Sequence, residues 1–298
     1  MQRSPNRRLP AHGYVFPRVS LQPIHTSVPA SVPAVEDMET EALTNIVHNV
    51  ADLLAKSRSL LFITGAGVSA DSGLPTYRGI GGLYNVGSTE EGLPIEELLS
   101  GHTIRRRPDL TWKYLGQVAR ACHGAQFNRA HQVIAEMESH FDRVWTLTQN
   151  VDGFHRQAGG QNVIDIHGDL HDLLCPACDH RQTVADYRTL TVPPPCPQCK
   201  AFLRPDVVLF GEALPFDKIS RLYTEIEKGF DMVFSIGTTS VFPYIAEPVI
   251  RAHQMGKSTV EINPGTSEVS DIVDIRLRMR AAPALDAIWR CYQERQTS

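Results

Sequence analysis

The chain of 298 residues is 42% hydrophobic, 21% charged and 7% aromatic, a profile that excludes disorder throughout and supports a hydrophobic core without disulfide staples. Lys and Arg number 29 against 33 Asp and Glu, a net charge of -4, so nothing global argues for nucleic acid or an anionic membrane as partner. No apolar stretch reaches the roughly 18 residues of a membrane span.

Residues 1–38 are expected to form a disordered tail. Up to position 35 the tail holds Arg3, Arg7, Arg8 and Arg18, no acid, and six prolines from Pro5 to Pro33, a composition that cannot pack. An acid-free, Arg-rich leader is one form of organelle transit peptide. Its prolines suit an amphipathic helix poorly, so a cytoplasmic protein is expected, with transit the lesser alternative. Catalysis is expected to survive removal of the tail.

Beyond the tail, Ala42, Leu43, Ile46, Val47, Val50, Leu53 and Leu54 recur at helical spacing. Ser59 to Thr64 then reads as a buried strand, followed at once by Gly65-Ala66-Gly67-Val68-Ser69-Ala70. This fits the G-x-G-x-x-G/A pattern between strand and helix, where small residues let backbone N–H groups approach a pyrophosphate. Tight packing alone is the plainer reading. A hydride-transfer dehydrogenase should offer an acid after the second strand; here a long Gly- and Pro-containing stretch runs from Asp71 to Gly82, and Glu90 and Glu91 follow no strand.

Helical patterns follow at 109–121 and 128–138, and a strand at Arg143 to Thr148 ends in Gln149-Asn150-Val151-Asp152. Another strand, Val163 to His167, places a histidine at its carboxyl end, where a general base can act near neutral pH. Residues 171–202 break the rhythm. Cys175 and Cys178 form one C-x-x-C and Cys196 and Cys199 another, 17 residues apart, the spacing of a four-thiolate zinc site with no open position. Two redox motifs, or cysteines without a common partner, are the alternatives. Helices are expected at 216–228, 244–255 and 283–293, and strands at Met232 to Ile236, Thr259 to Ile262 and Ile272 to Ile275. Cys122 and Cys291 fall on helical patterns and read as apolar core residues. Strands alternating with helices imply an α/β fold built on a largely parallel sheet.

In order, Gly65–Ala70, Thr148–Asp152, His167-Gly168, the paired C-x-x-C motifs, Arg204–Glu212 and Glu261-Ile262-Asn263-Pro264 resemble the motifs of sirtuins, over about residues 40 to 290. The resemblance is to the bacterial type, an NAD-dependent protein deacylase. It implies a catalytic domain over 39–298: a Rossmann-type large domain with an inserted smaller zinc-binding domain, formed by about 80–125 and the module 171–202. NAD as co-substrate and an acyl-lysine protein or peptide would meet between them, with one structural Zn2+ on Cys175, Cys178, Cys196 and Cys199.

Residue by residue, the resemblance places Gly65, Ala66, Gly67, Ser69, Ala70, Thr76, Tyr77 and Arg78 at the dinucleotide. Gln149 and Asn150 would hold the nicotinamide ribose, and Asp152 the carboxamide. Gly237, Thr238, Thr239 and Asn263 would serve the adenosine half, with the Ala281 backbone at the adenine. Phe210, Gly211 and Glu212 would pair with the peptide as an added strand, and Val208 would accept the acyl-lysine N–H. The implied catalytic set is His167, Asn150 and Asp152. The acyl oxygen attacks C1' of the ribose, His167 removes a proton from the ribose diol, and the products are lysine, nicotinamide and O-acyl-ADP-ribose.

Three departures stand out. Thr76 and Tyr77 replace the commoner Asp and Phe, Phe127-Asn128 replaces Pro-Asn, and the loop Gly237–Pro243 is one residue shorter than usual. Sirtuins that prefer succinyl-lysine carry a Tyr-x-x-Arg pair on a small-domain helix. Aligning Pro108-Asp109-Leu110 with the start of that helix puts Leu115 and Val118 there, which implies neutral acyl groups, unless Tyr114, Arg120 or Arg105 to Arg107 substitute. Mono-ADP-ribosylation, and a catalytically inactive NAD-sensing zinc module, are the competing functions.

Overall fold

The computed structural model describes residues 35–75, 89–185 and 187–297. Strands in chain order are β1 (Ser59–Thr64), β2 (Arg143–Thr148), β3 (Val163–Asp165), β4 (Gly168–Leu174), β5 (Arg181–Thr183), β6 (Arg204–Val207), β7 (Met232–Ile236), β8 (Ser258–Ile262) and β9 (Ile275–Leu277). The helices are α1 (Val35–Ala55), α2 (Ile95–Leu98), α3 (Gly101–Arg106), α4 (Pro108–Cys122), α5 (Arg129–Met137), α6 (Phe154–Gln157), α7 (Phe216–Glu227), α8 (Pro243–Gln254) and α9 (Ala281–Thr297). The first helix thus begins at Val35, inside the stretch assigned to the tail; residues 1–34 lie outside the described residues.

Six strands form a parallel sheet in the order β3-β2-β1-β7-β8-β9, the α/β fold expected. The run Leu60-Leu61-Phe62-Ile63 is apolar at every position because successive side chains enter opposite layers. Leu60 and Phe62 pack with Val50, Leu54, Val133, Met137 and Trp289 of α1, α5 and α9. Leu61 and Ile63 meet Leu222 and Ile226 of α7 and Ile245 and Val249 of α8. β1 pairs with β2 on one side and β7 on the other, Thr64 lying opposite both Thr148 and Ile236. The strand order therefore reverses at β1, where open parallel sheets gather ligands at the strands' carboxyl ends.

The last strand differs from expectation, starting at Ile275 rather than Ile272. Ile272 and Val273 close a turn by donating to the Val269 carbonyl, and Asp274 fixes the chain by accepting from Thr259 N and Oγ1, both at 2.8 Å. Val269 and Val273 instead pack in the layer with α7 and α8.

The inserted module folds as a three-stranded antiparallel sheet, β5-β4-β6, with α2 to α4 against it. Its core joins Trp112 and Leu115 of α4 to Leu170, Leu173, Leu203, Cys175 and Cys196, and the Trp112 indole donates to Leu203 O at 2.9 Å.

The turn after β1 fits against the turn after β7. A Cβ on Gly67 would lie 2.5 Å from Gly237 Cα, and one on Gly237, whose φ is +57°, would meet Gly67 C at 2.5 Å. Both atoms are backbone and have nowhere to retreat. Gly67→Ala is therefore expected to lower stability by about 1–3 kcal/mol through overpacking, read as a fall in Tm; an unchanged Tm would show that the two turns separate freely.

Candidate active site

Gly65, Gln149, Gly237 and Asn263 each directly follow a strand of the parallel sheet, so the register sets them side by side. After β1 the chain makes two 3-10 turns, Ala66–Val68 and Ala70–Ser72. No α-helix follows the motif among the described residues up to Pro75, contrary to the strand-to-helix reading. The Gly67 N–H, one of those expected to face a pyrophosphate, donates to Gly237 O at 2.8 Å.

Polar side chains converge above this turn. Asn150 Nδ2 donates to Gly65 O at 3.2 Å and to Ser69 Oγ at 3.1 Å, and Ser69 Oγ donates to Asp152 Oδ2 at 2.7 Å. Asp152 is 6% exposed and also accepts the Phe154 N–H. Burial pushes its carboxyl above the usual range, against the pull of the Ser69 hydroxyl and the Phe154 amide. Below them, Thr64 Oγ1 bonds Thr148 Oγ1 at 2.9 Å, and Thr148 Oγ1 accepts the Asn150 N–H at 3.1 Å. His155, buried and held neutral by desolvation, closes the chain at Thr64. This foundation fixes the Asn150 backbone under the site.

On the β7 side, Gln149 Nε2 donates to Thr238 Oγ1 at 2.8 Å, and Asn263 Nδ2 to Thr238 O at 3.0 Å. Thr239 is exposed and its carbonyl accepts the Glu268 N–H. Ala281 is the buried first residue of α9. That end of α9 reaches the β1 turn through Asp71, which accepts from Ala282 N at 2.9 Å and pairs with Arg280 at 3.2 Å. Thr76, Tyr77 and Arg78 lie outside the described residues.

His167 stands just past β3. Its Nδ1 lies 3.1 Å from Gln149 O and its Nε2 2.7 Å from the Tyr244 hydroxyl. A carbonyl only accepts, so Nδ1 carries the proton and Nε2 presents its lone pair. Burial draws the pKa of His167 below the ordinary value; the Gln149 carbonyl opposes this and the Lys218 charge adds to it.

The segment proposed to hold peptide is strapped to the small domain. Val208 N–H donates to His167 O at 2.9 Å. Phe210 donates to Leu99 O at 2.9 Å and accepts from Gly101 N at 3.0 Å, and Glu212 N–H donates to Leu209 O. Arg204 grips both oxygens of the Glu212 carboxylate at 2.6 and 2.8 Å, holding its pKa low although burial pushes it up. Of the three residues expected to add a strand, Phe210 and Glu212 already have their N–H groups engaged, while Gly211, at φ +77°, makes no main-chain bond of this kind among the described residues.

The sulfur atoms of Cys175, Cys178, Cys196 and Cys199 lie within 4.8 Å of one another, with the Cys175–Cys199 and Cys178–Cys196 pairs at 3.5 and 3.6 Å. A tetrahedral zinc thiolate has S–S edges of about 3.8 Å, given Zn–S bonds of about 2.3 Å. The set fits one such ion. Cys175 and Cys196 are buried in the small-domain core, so an ion held by the four thiolates would be tied to that core. Of the other two cysteines, Cys291 is buried on α9 as expected, and Cys122 is partly buried with its thiol pushed up to about 12 by desolvation.

Tyr244, Asp71 and His155 are the polar residues at the site that sequence reasoning missed. Tyr244 meets His167 across 77 positions and Asp71 meets Ala282 across 211, with no local pattern to announce either.

Comparison with known proteins gives one consistent result. Residues 65–243 match the Sir2 family. The NAD-dependent protein deacylase 2 of Pseudomonas aeruginosa is 50% identical over 238 residues, 79% of this chain and 93% of the relative. A mutant Sir2 homologue solved in complex with ADP ribose superposes with a TM-score of 0.76 at 35% identity, over 84% of this chain and 97% of its own. Another Sir2 homologue mutant, solved with 2'-O-acetyl ADP ribose, gives a TM-score of 0.74 at 34% identity, over 85% of this chain and 98% of its own.

Proposed function

The chain belongs to the Sir2 family, and from that membership we propose that it is an NAD-dependent protein lysine deacetylase, releasing nicotinamide and O-acyl-ADP-ribose. One observation carries the reading: His167, Asn150 and Asp152 stand together on the carboxyl edge of the sheet beside the β1 turn, in a family with a member solved around an acetylated ADP ribose. Its partners are acyl-lysine proteins or peptides, and its site of action is the cytoplasm. Among the described residues no helix is long and apolar enough to cross a membrane. The catalytic domain is 39–298, with the small domain from about 80–125 and 171–202.

The residues divide the work by chemistry. Asp152, seated by Ser69 and Phe154, accepts from the nicotinamide carboxamide, and Asn150 and Gln149 orient the ribose. Asn263, Thr238, Thr239, Gly237 and Ala281 line the adenosine half. The departing group is a cationic pyridinium, so bond cleavage needs orientation more than acid help. His167 Nε2, with its proton kept on Nδ1 by Gln149 O, takes a proton from a ribose hydroxyl. That hydroxyl's oxygen attacks the carbon of the former amide, whose acyl oxygen has already replaced nicotinamide at C1'; the C–N bond to lysine then breaks, the amine leaving with a proton, and one water completes O-acyl-ADP-ribose, while the carbonyl of Gln149 steadies the imidazolium. The peptide lies along Val208 and Gly211. The four thiolates take no part in these steps; the zinc they would hold supplies structure. With NAD omitted, deacetylation of an acetyl-lysine peptide is expected to cease; persistence would end this reading.

The acyl group is expected to be neutral. Leu115 is 4% exposed and Val118 packs against the same core. Of the polar neighbours named as substitutes, two are engaged elsewhere: the Tyr114 hydroxyl bonds Glu91, and Arg107 holds Asp109 at 2.8 Å; a succinyl preference would point to Arg105, Arg106 or Arg120. An unpaired carboxylate buried there costs several kcal/mol. A kcat/KM for acetyl peptide at least ~100-fold above that for succinyl peptide is expected from a difference of about 3 kcal/mol; parity would contradict the assignment.

A further inference from the structure

We propose that Tyr244 is a positioning residue for His167: its hydroxyl holds Nε2 of the imidazole in the substrate-free protein and yields that atom to the ribose hydroxyl when the substrates bind. The inference rests on His167 acting as the general base.

The direction of the bond follows from chemistry. Nδ1 faces the Gln149 carbonyl and must donate, so in the neutral ring Nε2 has one lone pair and no proton. Burial favours that neutral ring, and burial also pushes the Tyr244 phenol up to about 12, so the phenol keeps its proton and donates it across 2.7 Å. Lys218, the cation acting on His167, is held by Asp165 at 3.0 Å.

The contact is built into the packing. Tyr244 sits in the first turn of α8, stacked on Phe242 with centroids 5.5 Å apart and planes at 14°. Both rings stand edge-on to His167, at 84° and 85°. The imidazole is therefore fixed at one nitrogen by a carbonyl, at the other by a phenol, and along its edge by two rings. A single lone pair accepts one hydrogen at a time. The ribose hydroxyl consequently has to replace the phenol at Nε2, and because one O–H···N bond is exchanged for another, the hand-over costs little. Until then, the reactive nitrogen is aimed and covered.

Tyr244→Phe keeps the ring stack and removes only the hydroxyl. Diethyl pyrocarbonate attacks a bare imidazole lone pair, and the modified residue is located by peptide mass mapping. His167 in free Y244F should be modified about 3- to 10-fold faster than in wild type, the ratio a net hydrogen bond of ordinary strength allows, while buried His131 should be unchanged. Equal rates at His167 would overturn the proposal. If Y244F fails to fold, 15N NMR of histidine-labelled wild type decides: a hydrogen-bonded acceptor Nε2 on His167 is expected, and a shift typical of an unbonded nitrogen would overturn it. Neither readout needs turnover, so a protein without deacylase activity would refute the functional reading and leave the Tyr244 contact standing.

Discussion

Replacing His167 by alanine is expected to reduce deacylation by about 10²- to 10⁴-fold, the contribution of a placed general base, with NAD affinity and Tm close to wild type. The retained affinity follows from position. His167 touches Gln149 only through a backbone carbonyl, so its removal leaves the Asn150, Ser69 and Asp152 cluster bonded as before. The pH profile supplies a second reading of the same residue. Because the His167 pKa is depressed, chiefly by burial, the imidazole stays unprotonated, and competent as a base, to lower pH than a solvent-exposed histidine. The acid limb of kcat/KM should therefore lie below pH 6.5, the reference for that side chain. Undiminished turnover in folded H167A would remove the residue from the mechanism.

The second large effect is expected from the metal module. Cys175→Ala or Cys199→Ala opens the thiolate set, and a structural zinc contributes folding free energy on the order of 10 kcal/mol. That is comparable with the whole stability of a domain, about 5–15 kcal/mol. The ion's loss should melt the small domain rather than loosen it. Activity should fall with it, because Phe210 and Glu212 are strapped to that unit through Leu99, Gly101 and Arg204. Cys122→Ala is the control: it lies outside the cluster and should keep one zinc per chain. Active protein that holds no zinc would contradict the assignment.

Much of the large domain was legible in the sequence because burial on both faces writes a strand as a short, mostly apolar and β-branched run. Ser59–Thr64, Arg143–Thr148 and Met232–Ile236 have the bounds expected of them. The small sheet carries no such run. β4 has three buried positions interspersed with Asp169, His171 and Asp172, and β6 contains Arg204, Pro205 and Asp206, so neither announces a strand. Val273 misled for the opposite reason, being apolar through contact with a helical layer rather than through sheet pairing. At the site, the motif residues were legible and their partners were not. Gly67 reads in the sequence as room for a phosphate; in the fold its bareness also admits Gly237. The hydroxyl at His167 comes from the start of α8, a position that any helix-starting residue would satisfy locally.

The stoichiometry of turnover separates deacetylation from ADP-ribose transfer and from NAD binding alone. With NAD and an acetyl-lysine peptide, one nicotinamide should be released for each lysine freed, with acetyl recovered on ADP-ribose and no label from NAD left on protein. NAD binding without turnover, or transfer of ADP-ribose label to protein in place of deacetylation, would contradict the deacetylase reading.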